Sequence, residues 1–140
     1  MLCQGRLLAI DYGQKRIGVA VSDPTCTIAQ GLPTIVYKSL PEALEKIDKL
    51  VEEYQIQLVV VGMPLTMNGE VGSAARKVEV FVGFLKKRYS VPVVLWDERL
   101  TSVVAAKTIR ESGKSPSRNK SKIDELAARL ILQNYLDGLT

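Results

Sequence analysis

Apolar and polar positions change period several times along this chain, and each change marks an element. Leu7, Leu8, Ala9 and Ile10 form an apolar run that stops at Asp11, and a second run, Ile17 to Val21, resumes after a short polar turn. Runs of this length without alternation suit strands buried on both faces. A third strand is predicted from Thr25 to about Tyr37, interrupted by Gly31 and Pro33. Short connections make these three an antiparallel meander. At Ser39 the period becomes helical. Ser39-Leu-Pro-Glu42 reads as a capping box, and Ala43, Leu44, Ile47, Leu50, Val51 and Tyr54 share one face of a helix ending near Gln55.

The β-branched run Leu58 to Gly62 predicts a central parallel strand, followed by the glycine-bearing loop MPLTMNGEVGS. Ala74, Ala75, Val78, Phe81, Val82 and Leu85 define a second amphipathic helix, and Val91 to Trp96 a fifth strand. Two further helices are expected, from about Ser102 to Ser112 with Gly113 as the stop, and from about Lys122 to Leu136. The order βββαβαβαα attaches two parallel strands to a meander through right-handed crossovers, so helices cover both faces of a five-stranded mixed sheet. The predicted class is α/β, in one domain spanning residues 1–140. This is the element order of the ribonuclease H-like fold.

Composition narrows the chemistry. A chain of 140 residues, 46% hydrophobic and 24% charged, is ordinary globular material. It buries about two-thirds of its unfolded surface without needing a metal or disulfide. Neither a membrane-spanning run nor a leader pattern is present, so a cytoplasmic protein without a membrane partner is expected. Cys3 and Cys26 form no CxxC motif and are expected as reduced thiols, with a Cys3–Cys26 disulfide as the alternative. There is no histidine, which removes Ser/His/Asp and Cys/His nucleophilic machinery, HExxH sites and imidazole-based metal centres together. Any metal would be a hard cation on carboxylates, Mg2+ or Mn2+.

The net charge of +4 is local. Arg110 to Lys122 holds five basic residues against one acid, so the remainder sums to zero. Such a segment is either a solvated linker or an arm for nucleic-acid phosphates. Gly113-Lys114-Ser115 resembles the end of a P-loop but lacks its first glycine, Thr108 standing there, and its preceding strand.

Three acids fall at telling places: Asp11 at the end of the first strand, Glu98 after the last strand, and Asp124 in the first turn of the last helix. Singly, each has a plain explanation. Asp11-Tyr-Gly could be a turn, Glu98 could pair with Arg99, and Asp124 could complete a capping box with Ser121. If the first and last parallel strands are neighbours, Asp11 and Glu98 converge where open α/β sheets bind ligands, outside the carboxyl ends of the strands, and the last helix can deliver Asp124. Paired carboxylates about 4 Å apart repel by about 4 kcal/mol at an effective dielectric near 20, which a divalent cation offsets. One or two ions held this way would activate water for phosphodiester cleavage. Asp23 and Asp97 could be auxiliary ligands, but are expected in turn and strand-end roles.

Four stretches, AIDYGQKRIGVAVSD, VVVGMPLTMNGEVGSAA, WDERLTS and KSKIDELAARLILQNYLDG, in this order and spacing, resemble the YqgF/RuvX family over nearly the whole chain. Glu79 departs from the arginine such proteins often carry after Val78, so that helix is not expected to contact phosphate. The resemblance implies a ribonuclease H-like nuclease related to RuvC-type Holliday junction resolvases, with Asp11, Glu98 and Asp124 as catalytic metal ligands for Mg2+ or Mn2+. It implies action on structured RNA in 5′-end maturation of pre-16S rRNA, on a ribosomal precursor particle. Branched four-way DNA and a non-catalytic RNA-binding role are the alternatives, in a monomer or homodimer. Lys15, Arg16, Arg99, Arg118, Lys120 and Lys122 are the expected substrate contacts to backbone phosphates.

Overall fold

The computed structural model describes residues 5–110 and 117–139. Strands β1 (Arg6–Asp11), β2 (Arg16–Ser22) and β3 (Ala29–Val36) form the meander, followed by α1 (Leu40–Glu53), β4 (Ile56–Met63), α2 (Ser73–Arg88) and β5 (Val93–Asp97). A 3-10 turn (Glu98–Leu100) leads to α3 (Val103–Arg110), and α4 (Ser117–Asp137) closes the chain. The sheet order is β3-β2-β1-β4-β5, so β4 lies between β1 and β5, and the first and last parallel strands are not the neighbours supposed from the sequence. Strands β1/β2 and β2/β3 pair antiparallel, and β1/β4 and β4/β5 parallel, as the periodicity predicts.

The two sheet faces differ in side-chain size, and this difference positions the site. On one face Leu8, Ile10, Ile17, Val19, Val21, Val59 and Val61 pack with Ile47 of α1 and Phe81 and Leu85 of α2. On the other, Leu7, Ala9, Ala20 and Val60 meet Ala127, Ala128, Ile131 and Leu132 of α4. Gly18 and Gly62 extend this second face. A methyl group at Gly18 would collide with the backbone carbonyl of Asp124, and one at Gly62 would sit 2.5 Å from Ile131 Cδ1. Small residues therefore let α4 lie close on the central strands.

Local chemistry sets most boundaries. Ser39 caps α1, its hydroxyl accepting from Glu42 N at 3.3 Å, with Pro41 in the first turn where its missing N–H costs nothing. Asp23 accepts from the backbone amides of Thr27 and Ile28 at 2.8 and 2.9 Å, which shapes the β2–β3 turn and delays β3 to Ala29.

Three further expectations need correction. Helix α4 begins at Ser117 rather than near Lys122, so the end of the supposed basic loop is helical, and Ser121 and Asp124 lie inside the helix instead of capping it. Polar residues without Gly or Pro after position 116 carry no stop signal, and the apolar stripe alone marked the start too late. Cys26 is disulfide-bonded, not a reduced thiol. Cys3, and Gly113 as a helix stop, lie outside the described residues. No helix among those described is long and apolar enough to cross a membrane.

Candidate nuclease site

Asp11 ends β1 on the small-residue face, paired with Gly18 of β2. Glu98 opens the 3-10 turn after β5, and Asp124 stands one turn before Ala127 and Ala128 on the buried stripe of α4. All three are 2% exposed. Buried acids of this kind are rare without partners. Glu98 is thus no surface acid paired with Arg99. Arg99 instead binds Asp97, which also accepts from Arg99 N at 2.9 Å, giving Asp97 the strand-end role expected of it.

The neutralising charges come largely from α3. Lys107 Nζ lies 2.7 Å from Asp11 Oδ1 and 2.6 Å from Glu98 Oε1. Arg110 is 3.6 Å from Asp11 Oδ2 and ion-paired with Asp124 Oδ1, while Arg16 Nε holds Asp124 Oδ2 at 2.8 Å. The three carboxylates are therefore interleaved with three cations, and no three acids among the described residues form a ready metal cluster. Asp11 Oδ2 and Glu98 Oε2 are buried and make no hydrogen bond, Asp11 Oδ2 meeting only Arg110 at 3.6 Å. A methyl group at Gly62 would approach Glu98 Oε2 to 2.7 Å, so the sheet is pared back to admit that carboxylate.

Electrostatics follow from this burial. Loss of hydration raises the Asp11 carboxyl, opposed by Lys107 and Arg110 and reinforced by the Asp124 charge. Burial also raises Glu98, and Asp11 adds to it. Burial pulls Lys107 down, but the charges of Asp11 and Glu98 outweigh it and the net shift is upward. Two buried carboxylate oxygens without hydrogen bonds, Asp11 Oδ2 and Glu98 Oε2, are hard donors of the kind that suits a divalent ion.

Beside the carboxylates opens a cleft of about 490 Å³ lined by Lys15, Arg16, Lys77, Lys107, Arg110 and Lys120, with Asp124 as its acid. Its near wall is the β1–β2 hairpin, where Tyr37 donates its hydroxyl hydrogen to Gly13 O and Tyr12 stacks on Phe81 at 4.4 Å. Of the expected substrate contacts, Lys15, Arg16 and Lys120 line this cleft. Lys122 borders a separate cavity with Glu125 and Arg129. Arg99 leans toward the β4–α2 loop, reaching Met67 O at 3.3 Å. The Arg118 side chain lies outside the described residues.

Lys77 and Lys107 were not singled out from the sequence as site residues, and Arg110 was noted only as the first residue of the basic segment, yet a signal existed for the last two. Val103, Ala106, Lys107 and Arg110 follow the i, i+3, i+4, i+7 spacing of one helix face, whose first two members are buried. Two cations on an inward stripe call for buried acids opposite. Asp124 obeys the same rule with Ala127, Ala128 and Ile131.

Comparison with known proteins agrees with this architecture. A family model described as RuvX, Holliday junction resolvase, matches residues 5–138. The chain is 47% identical over 134 residues to a Thermoanaerobacter pseudethanolicus protein named "Putative pre-16S rRNA nuclease", covering 95% of this chain and 96% of the relative. It is 48% identical over 135 residues to a Caldanaerobacter subterraneus subsp. tengcongensis protein of the same name, covering 95% and 96%. The crystal structure of the fowlpox virus Holliday junction resolvase superposes with a TM-score of 0.53 at 13% identity, over 95% of this chain and 99% of that one. That likeness concerns the fold, which is ribonuclease H-like. By the extent of the family match and the identity to these relatives, the chain belongs to the RuvX family.

Proposed function

We propose that this protein is a divalent-metal-dependent endonuclease that cleaves a phosphodiester bond of structured RNA, in 5′-end maturation of pre-16S rRNA. The observation that carries the reading is a buried carboxylate pair, Asp11 and Glu98, each keeping one oxygen free of hydrogen bonds beside a cationic cleft. The names of the relatives support rRNA as the substrate. An rRNA precursor within a ribosomal particle as the target implies a cytoplasmic protein. The family model's description favours a second reading, resolution of four-way DNA, which calls for a dimer so that two sites cut symmetrically.

Asp11 and Glu98 would hold the Mg2+ or Mn2+ ion, with Asp124 joining them once released from Arg110 and Arg16. Such an ion, when bound, polarises the scissile phosphate and lowers the pKa of water. The chain's own groups supply the rest. Lys15, Lys77 and Lys120 attract and seat the sugar-phosphate backbone, a contact that sets register without reading sequence. Arg16 and Arg110, turning from Asp124 to phosphate oxygens, orient the strand by bidentate contacts that lysine cannot make.

The test compares wild type with Asp11→Asn, Glu98→Gln and Asp124→Asn in Mg2+ or Mn2+, on a pre-16S leader RNA and a four-way DNA junction. Cutting of RNA that each substitution abolishes, with binding retained, is the expected result. Cutting confined to the junction selects the DNA reading. Binding without cutting of either substrate, in every metal and with the precursor particle, overturns the nuclease assignment in favour of a non-catalytic RNA-binding role.

A further inference from the structure

Half of the chain's aromatic rings line one small pocket. The sequence holds two phenylalanines, five tyrosines and one tryptophan, and Tyr12, Tyr37, Phe81 and Phe84 line a cavity of about 290 Å³ between the β1–β2 hairpin, the start of α1 and α2. Phe81 is buried and stacks on Tyr12 at 4.4 Å, and the Tyr37 hydroxyl donates to Gly13 O, so these rings are held in place before anything binds. Phe84 is different. Three residues beyond Phe81 on α2, it is 43% exposed, the most open of the four, and Val80 on the same helix face is exposed as well. A single exposed apolar side chain needs no explanation, but several around a concave wall do.

Charge and position say what fills this pocket. Lys38 and Lys77 line it, and no acid among the described residues does. Tyr12, Gln14 and Lys77 also line the cationic cleft, so the two cavities share a wall. We infer that the pocket receives one unpaired base of the nucleic-acid strand whose phosphates lie in the cleft, the base stacking on Phe84. The inference rests on the nuclease reading proposed above and narrows its substrate to RNA with an unpaired nucleotide beside the bound phosphates. A base inside a continuous duplex must first be extruded, which costs least where it is already unpaired. Volume limits the occupant: drug-sized ligands take cavities of about 300–1,000 Å³, so this one holds a single flat ring system and leaves the sugar-phosphate outside, at Lys77. Aromatic stacking is open to every base, so the pocket reads the absence of pairing rather than sequence. An apolar side chain of a protein partner would gain nothing from the two lysines or from continuity with a phosphate path.

The test uses the full-length protein without divalent metal, so that no strand is cut, and an RNA hairpin carrying one bulged 2-aminopurine, whose fluorescence falls when it stacks. Two companion hairpins carry an abasic bulge or are fully paired. The expected result is quenching by the wild type that Phe84→Ala abolishes and Phe84→Trp keeps. Affinity for the bulged hairpin should fall at least ~5-fold in Phe84→Ala, the low end for one base–aromatic stack, while the abasic and paired hairpins bind both proteins alike. Circular dichroism reports the fold of each variant, and should Phe84→Ala not fold, Phe84→Leu, apolar but without a ring, takes its place. Quenching that survives Phe84→Ala, or equal affinity of wild type and Phe84→Ala for the bulged hairpin, overturns the inference. If Lys15→Ala, which touches the cleft alone, then still weakens binding of all three hairpins, the nuclease reading stands. A wild-type dimer in sedimentation that Phe84→Ala dissociates, with RNA affinity unchanged, also overturns the inference and gives the pocket to a second copy of the chain. No binding of any hairpin at low salt removes the cleft as a phosphate path, and with it both the inference and the reading beneath it.

Discussion

Gly18 and Gly83 invite the same substitution with opposite outcomes. At Gly18 in β2, a Cβ would meet the Asp124 carbonyl oxygen inside contact distance, with the Asp124 carbonyl carbon at 2.7 Å and its Cα at 3.4 Å. The obstacle is helix backbone, which cannot swing aside as a side chain can. Gly18→Ala must therefore lift α4 from the sheet at Asp124 or displace β2, an overpacking strain of about 1–3 kcal/mol. At Gly83, inside α2, nothing lies within 4 Å of the new methyl group. There the change gains about 0.5–1 kcal/mol, because alanine loses less backbone entropy in a helix. For a chain of this length each kcal/mol moves the melting temperature by about 3–6 °C. Thermal unfolding followed by circular dichroism should thus show Gly18→Ala melting about 5–15 °C below wild type and Gly83→Ala about 2–5 °C above it. Cleavage should fall with the first and hold with the second, since only the first moves Asp124. A Gly18→Ala protein that melts within a degree of wild type would refute the close seating of α4 on β2.

The cleft makes a selective prediction for binding. Lys15→Ala and Lys77→Ala should each flatten the slope of log affinity against log salt by ~1, and Lys122→Ala, beside a separate cavity, should leave it unchanged. Equal flattening at Lys122 would move the nucleic-acid path to the outer face of α4. Asp48 of α1 is held below its ordinary pKa of 3.8 chiefly by hydrogen bonds from Arg88, burial opposing them. Its stabilising effect is present above that value and lost as pH falls through the lower folded value. Asp48→Asn should then cost up to about 1 kcal/mol at pH 7, as for exposed pairs, and the difference from wild type should vanish in acid. A difference that persists in acid would assign the loss to packing. Ser39→Ala removes the α1 cap and should cost about 1 kcal/mol in urea unfolding without changing nucleic-acid affinity.

The strands of the sheet and three of the helices were legible because burial leaves a periodic trace. Leu8 and Ile10 face one layer and Leu7 and Ala9 the other, and the run reads as apolar throughout. Asp11, Glu98 and Asp124 were legible for the opposite reason: each breaks such a trace at an element's end or on its inward face. The start of α4 was hidden because residues 117–122 are polar on every side and no cap announces the helix. Lys107 was hidden because a helix cation is most often solvated, and Arg110 because its charge merged with the basic segment that follows it. Their spacing from Val103 and Ala106 said otherwise.

The small residues of the second sheet face and the charges of the site are one design. Glycine at 18 and 62 and alanine at 9 and 20 leave room for α4 to approach, and α4 carries Asp124 in with it. Closeness excludes water, and without water Asp11 and Glu98 are costly to ionise, as their raised pKa values record. An acid that costs so much to ionise in isolation is stabilised by any cation that reaches it. Lys107, Arg110 and Arg16 do so from within the chain, on helix and strand positions that packing has already fixed. The choice of a glycine over an alanine on β2 thereby determines how strongly three carboxylates, far apart in sequence, attract positive charge. A larger residue there would loosen the helix, readmit water and weaken the site's hold on a cation before any ligand had been replaced.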